Sequence, residues 1–277
     1  MRLVLGMLAV ALAVTAAVGC TGDDSAGESA PDEPPRPRVM AALGDSITRG
    51  FAACGRGGDC VEASWATGTA GELGSHAQRL TIDDREHSHN LAVSGARAAG
   101  LASQVRAAVL ARPDYVTVLI GANDACVRNE AAMTLVEEFA RAFDEGMDAL
   151  VRGLPDAHIL VLSVPDLARL WEVGKDRPDV RRVWESYGIC QSMLANPTDL
   201  SAAAQARRAR VRARIQAYNA SMAAACARHA RQCRHDDHAV FDYRFDLDLV
   251  STIDYWHPSK RGQTTLAQLA WRAGFWS

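Results

Sequence analysis

Ser46, in the stretch ALGDSITRG (41–49), is a lone hydroxyl at the end of a short apolar run. A serine attacks a carbonyl only when a base takes its proton, a third group orients that base and donors hold the oxyanion. The chain offers a candidate for each part. His257, in TIDYWHPSKRG (252–262), has Asp254 three residues upstream. At that spacing one turn of backbone lets the carboxylate face the ring. It then takes one ring N–H and leaves the other nitrogen free to accept the Ser46 proton. The Ser46 N–H, the N–H of Gly95 and the side-chain amide of Asn123 are candidate oxyanion donors, the glycine because bare backbone can approach a ligand closely. Such a set needs no metal and no cofactor. Each residue also has a plainer reading. Ser46 serves equally as a turn residue, Gly95 as a turn and Asn123 as the satisfied end of a strand. Asp254 or Ser259 could cap a final helix with Pro258 near its first turn.

The remaining histidines are less pointed. His76, His87, His89 and His158 sit in polar or edge contexts, and His229, His235 and His238 flank RHDDH, which reads as a charged loop rather than a metal site. Of seven cysteines, six remain once Cys20 is set aside as part of a leader: Cys54, Cys60, Cys126, Cys190, Cys226 and Cys233. An even count in an exported chain predicts disulfides, and the absence of a C-x-x-C pair argues against a metal. Six cysteines allow about 15 pairings. The economical one is Cys54–Cys60, Cys126–Cys190 and Cys226–Cys233.

These residues must be held by regular elements. Short buried strands are predicted at 39–43, 89–96, 115–124, 158–166 and 238–243, from β-branched or apolar runs ended by Gly, Pro or Asp. Helices are predicted at 75–80, 98–111, 131–152, 167–187 with a break near Pro178, 201–231 and 259–272. Strand and helix in alternation mean an α/β domain, a three-layer α/β/α sandwich about a central parallel sheet. Functional loops of such sheets lie at the strands' carboxyl ends. The turns at 44–46, 94–95, 121–123 and 165–166 all follow strands, so they should meet on one edge. Trp65, Trp171, Trp184, Tyr255 and Trp256 could line an acyl pocket or simply pack the core; Trp65 and Trp256 are the candidates for substrate contact, Trp256 because it adjoins His257.

The 277 residues carry 48% hydrophobic and 23% charged side chains, enough for one large domain. A net charge of -3 with 6% aromatics gives no reason to expect nucleic acid. Residues 1–20 read as a signal segment: Met1-Arg2, an apolar stretch and then Cys20. The ending AAVGC resembles a bacterial lipobox, with Ala17 where Leu is usual, which implies acylation of Cys20 and attachment to a membrane surface. Plain secretion is the alternative. Residues 21–38, TGDDSAGESAPDEPPRPR, read as a disordered tether, and the folded domain is expected over 39–277, as a monomer.

GDSIT (44–48), NLAVSG (90–95), GAND (121–124) and DYWH (254–257) occur in that order. They resemble the four blocks of the GDSL/SGNH hydrolase family, with Ile47 in place of the Leu of its name. The resemblance runs from Val39 to the C-terminus. It implies a flavodoxin-like α/β/α fold and a serine hydrolase acting on carboxylic esters. Ser46 would be nucleophile, His257 base and Asp254 its orienter, with the oxyanion held by the Ser46 and Gly95 N–H groups and Asn123. The G-x-S-x-G turn of α/β-hydrolases is absent, since Thr48 stands at its second glycine. The segments ASWATGT (63–69) and VPDLARLWEVGKD (164–176) are similar to the phospholipase B-like branch, which implies a lipid or other acyl ester. A carbohydrate O-deacetylase, an acyltransferase on the same residues and a tethered binding lipoprotein without turnover are the rival readings.

Overall fold

The computed structural model describes residues 33–82 and 84–276. The signal segment, Cys20 and the tether as far as Asp32 lie outside them. Among the described residues no helix is long and apolar enough to cross a membrane. Residues 33–38, read from sequence as the end of the tether, lie instead against the domain. Pro37 is buried, the Pro34 carbonyl accepts the Trp276 indole N–H at 2.9 Å, and the Arg38 N–H donates to Asp114 at 2.8 Å. The prolines have no N–H to satisfy, so this strip docks through ring surface, the Pro34 carbonyl and the Arg38 N–H.

The strands are β1 (Met40–Gly44), β2 (Ser88–Asn90), β3 (Tyr115–Leu119), β4 (His158–Val161) and β5 (Cys233–His235). The α-helices are α1 (His76–Leu80), α2 (Leu101–Ala111), α3 (Ala122–Ala125), α4 (Val136–Gly153), α5 (Leu167–Gly174), α6 (Pro178–Ser186), α7 (Gln191–Leu194), α8 (Ala202–Arg228), α9 (Ala239–Asp242) and α10 (Lys260–Ala273). The sheet is parallel throughout, in the order β2-β1-β3-β4-β5. Every residue of MAALG in β1 and YVTVL in β3 is buried, as continuous apolar strands covered on both faces must be.

The order explains the layers. From β1 the chain steps outward to β2, then returns past β1 to β3 and continues to β5. Right-handed crossovers then put α2, α4 and α8 on one face and α1 on the other, where α10 joins it through Trp271, packed edge-on to His76. The point of reversal lies between β1 and β3, where a crevice opens beyond the strand ends.

Each helix buries one stripe. In α4, Phe139, Phe143, Met147 and Leu150 recur at helical spacing and are buried against α2 and α8. Truncating such a Phe costs about 3–5 kcal/mol. The arginines of α8 act mostly as internal ties. Arg208 lies over the Trp171 ring at 4.3 Å and donates to the Asn196 and Asp199 carbonyls; Arg212 pairs with Asp166 at 2.8 Å; Arg214 donates to the Thr134 carbonyl. Arg208 holds the segment between α5 and α8, which Cys126–Cys190 also ties to the end of α3, while Arg212 and Arg214 hold the turns that lead into α5 and α4. Cys54 pairs with Cys60 and Cys226 with Cys233.

The element boundaries depart from the sequence reading in places. The final strand is Cys233–His235, and the predicted strand 238–243 is a helical turn. Asp237 and His238 take left-handed φ of +47° and +63°, which ends the extended run, and the apolar pair Val240-Phe241 then turns inward. The strands predicted at 89–96 and 115–124 stop at Asn90 and Leu119, because the residues beyond them form the loops of the site. The helix expected from 131 starts at Val136, after a 3-10 turn capped by Asn129. The break near Pro178 falls as predicted, with Pro178 opening α6.

Cys126 and Cys190 are 64 residues apart. The double variant Cys126→Ala/Cys190→Ala is expected to lose about 4 kcal/mol, a fall in Tm on the order of 10 °C. Differential scanning calorimetry checks this; a Tm within one degree of the wild type would count against it.

Candidate active site

Gly44 ends β1 with φ +145°, and a Cβ there would lie 2.2 Å from the Leu119 carbonyl oxygen. Only glycine fits. Gln104, buried on α2, clamps both of its backbone groups, accepting its N–H and donating to its carbonyl, each at 2.8 Å. The next turn is fixed from α10, where the Gln263 amide donates to the Ile47 carbonyl at 2.8 Å and accepts the Trp65 N–H. Asn90, at the end of β2, donates to the Thr48 carbonyl at 2.9 Å. The Ser46 side chain therefore stands on a backbone held from three elements.

His257 reaches it from 211 residues away. Its Nε2 lies 2.8 Å from Ser46 Oγ and its Nδ1 2.6 Å from Asp254 Oδ2. The other Asp254 oxygen accepts the N–H groups of Trp256 and His257 at 2.9 and 3.0 Å. That tight turn needs a left-handed residue between them, and Tyr255 supplies it at φ +47°. The strained residue is gripped twice: Trp184 on α6 donates its indole N–H to the Tyr255 carbonyl at 2.8 Å, and the Tyr255 hydroxyl donates to Asp179 at 3.2 Å. The helix cap of α10 is Ser259, which accepts the Gly262 N–H, so Asp254 is left to the histidine. Phe51 lies against the imidazole, ring centroids 4.6 Å apart.

The loop after β2 turns at Gly95, with φ +81° and open space around it. Val93 N–H ties that loop to the Gly44 carbonyl at 3.1 Å. Asn123, at the start of α3, spends one amide N–H on the Ala96 carbonyl at 3.0 Å, leaving the other free to donate. The structure thus brings Ser46, His257, Asp254, Gly95 and Asn123 to the crevice where the strand order reverses.

The two substrate-contact candidates part ways. Trp65 is fully buried in the core, its indole against Thr48 Oγ1 and its ring edge-on to His76, so it cannot touch a substrate. Trp256 is half-buried and lines an apolar cavity of about 70 Å3 beside the site, together with Ile47, Leu170, Phe245, Pro258 and Leu266. Trp171 and Trp184 hold neighbouring loops. His76 is a core residue, not an edge one: its Nδ1 meets the Tyr115 hydroxyl at 2.8 Å, and burial pushes its pKa down to about 3. His229 pairs with Asp148, and among the described residues the one cluster of three metal-ligating groups is Cys54, Cys60 and Glu62, whose cysteines are bonded to each other.

A model of the GDSL-like lipase/acylhydrolase family matches residues 42–264. The chain belongs to that family. Among solved structures it is similar to an extracellular lipase from Streptomyces rimosus, at 20% identity and TM-score 0.53, over 85% of this chain and 99% of that one. It is also similar to a mutant of Axe2, an acetyl-xylooligosaccharide esterase from Geobacillus, at 16% identity and TM-score 0.53, over 87% and 95%. Such identities speak to the fold alone. No curated protein sequence matches the chain.

In this GDSL-like hydrolase two buried carboxylates underlie the crevice. Asp124 accepts the Ala98 N–H at 2.9 Å and the Thr134 hydroxyl at 2.7 Å, and burial holds its pKa above the usual carboxylate range. Asp45 accepts the Ile47 N–H through one oxygen, while the other has no partner among the described residues. Burial raises its pKa from 3.8 to about 7, the Ile47 N–H opposing and the Asp124 charge adding to the rise. Below about pH 4 the folded and unfolded chains both hold this proton. As pH rises the unfolded chain releases it first, so stability falls through the window from 4 to 7. Relative to the wild type, Asp45→Asn is expected to be spared that fall, on the order of 4 kcal/mol at neutral pH. Chemical denaturation at stepped pH measures it, and parallel slopes for the two proteins would refute it.

Proposed function

We propose that the protein hydrolyses carboxylic esters with an apolar acyl group, through a Ser46–His257–Asp254 triad. The observation that carries this reading is the unbroken relay of 2.8 Å from Ser46 Oγ to His257 Nε2 and 2.6 Å from Nδ1 to Asp254. With its Nδ1–H donated to Asp254, the imidazole has Nε2 left to accept a proton. As Ser46 Oγ attacks the ester carbonyl, its proton passes to Nε2. The tetrahedral oxyanion takes hydrogen bonds from the Ser46 N–H, the Gly95 N–H and the free N–H of the Asn123 amide. The leaving alcohol removes the proton from His257 as its bond to carbon breaks. Water, deprotonated by the same nitrogen, then cleaves the acyl-enzyme and restores Ser46. The cavity beneath Ile47, Trp256 and Pro258 supports an apolar acyl group, since its wall is built almost wholly of aliphatic and aromatic carbon.

A series of p-nitrophenyl esters from acetate to palmitate, offered to the full chain, tests both parts. Rates are expected to rise from acetate into longer chains and to vanish in Ser46→Ala. Activity confined to acetate, and lost in that variant, would overturn the acyl preference in favour of a deacetylase. No turnover of any ester by folded, oxidised protein would sink the hydrolase reading and leave acyl transfer or ligand binding. Asn123→Ala is expected to lower kcat by about 10²–10³-fold, the cost of one oxyanion donor.

A further inference from the structure

One wall of the crevice is not accounted for by the triad. Arg49 follows the nucleophile turn, and its Nε donates to Asp59 Oδ2 at 2.8 Å. The other Asp59 oxygen accepts the Ser94 hydroxyl at 2.5 Å. Ser94 immediately precedes Gly95. The loop it belongs to has little packing of its own: Val93, Ser94 and Gly95 are exposed, and a Cβ on Gly95 would meet nothing within 4 Å. Its other ties include Leu91 N–H to the Ala42 carbonyl, Val93 N–H to Gly44 and Ala96 to Asn123, which run to β1 and α3. The Asp59 bond comes instead from the loop after the Ser46 turn.

Asp59 is carried by the ring that Cys54 and Cys60 close. That ring reads CGRGGDC, with Gly55 and Gly58 at φ +70° and +98° and no neighbour within 4 Å of a Cβ on Gly55, Gly57 or Gly58. A chain so rich in glycine holds one shape only if it is tied. The ties are the disulfide, the Ala52 N–H to the Gly58 carbonyl at 2.9 Å and the Cys60 N–H to the Arg49 carbonyl at 3.2 Å. Partial burial raises the Asp59 pKa, but the hydrogen bonds from Ser94 and Arg49 and the charges of Arg49 and His257 outweigh it and keep the carboxyl below its ordinary range. An ionised acceptor makes the stronger hydrogen bond.

We propose that Arg49, Asp59 and the Cys54–Cys60 ring form a strut that, through Ser94, positions the Gly95 N–H for the oxyanion. Asp59 and Ser94 are positioning residues on this account, and the inference rests on the ester-hydrolase reading of Ser46 and Gly95.

The test compares Asp59→Ala, Ser94→Ala, Asp59→Asn and Arg56→Ala in the full chain with its disulfides formed. Arg56 makes the ring's other ion pair, with Glu62 at 3.6 Å on the exposed side, and serves as the control. Two quantities are read: kcat and KM for p-nitrophenyl butyrate, and amide hydrogen exchange over residues 91–97 by mass spectrometry. Asp59→Ala and Ser94→Ala are each expected to lower kcat about tenfold with KM held within about twofold, because the donor is displaced rather than removed. Exchange over 91–97 should quicken in both. The double variant should be no worse than either single one. Asp59→Asn keeps an acceptor for Ser94 and should recover most of kcat, and Arg56→Ala should change neither quantity. Unchanged kcat and exchange in Asp59→Ala, a loss of kcat without faster exchange, or equal losses in Arg56→Ala would each overturn the strut. If the wild type turns over no ester, the hydrolase reading fails and exchange alone decides the strut, faster exchange supporting it and unchanged exchange overturning it.

Discussion

The close contact of Gly44 with the Leu119 carbonyl is the constraint on which the site is built. It lets β1 end tight against β3 at the one place where the sheet reverses its order of growth. A turn there faces the crevice whatever its sequence, and Ser46 occupies it. Because Gly44 is also held by Gln104 and by Val93, the Ser46 turn, the first helix of the α2 layer and the loop after β2 share a single backbone residue. Displacing it would disturb all three at once.

The residues that the proposed mechanism uses are legible in the sequence as candidates. Ser46, Gly95, Asn123 and the Asp254–His257 pair each lie in a short local pattern, at the end of a strand or just before a helix cap, and their geometry is set largely within a few residues. The groups that hold them are not. Gln104 bonds across 60 residues, Gln263 across 216, and Trp184 across 71. A buried glutamine in a helix has no periodicity of its own and reads as an ordinary polar position until its partner is known. Asp59 is hidden for a related reason: in sequence it is one acidic residue in a glycine-rich loop.

The misreadings have physical causes as well. Trp65 lies near the nucleophile in sequence, and an aromatic near a site suggests substrate contact, but α10 covers it and its indole is satisfied inside the core. The segment 238–243 carries an apolar run too short to distinguish strand from helical turn, and two left-handed residues before it decide the matter. Residues 33–38 look like linker by composition. They pack because prolines leave no N–H to satisfy, the Trp276 indole donates to the Pro34 carbonyl and the Arg38 N–H donates to Asp114.

The distance in sequence between Ser46 and His257, 211 residues, has a consequence for how the protein comes into being. Ser46, Gly95 and Asn123 follow β1, β2 and β3 in turn, all well upstream of His257. His257 lies far downstream of them, and its loop is held from α6, where Trp184 grips the Tyr255 carbonyl. On the proposed mechanism, a chain in which His257 has not yet folded back onto Ser46 carries a nucleophile with no base. On the proposed mechanism, reactivity waits for the contact between Ser46 and His257, 211 residues apart, to close, so the chemistry reports long-range folding.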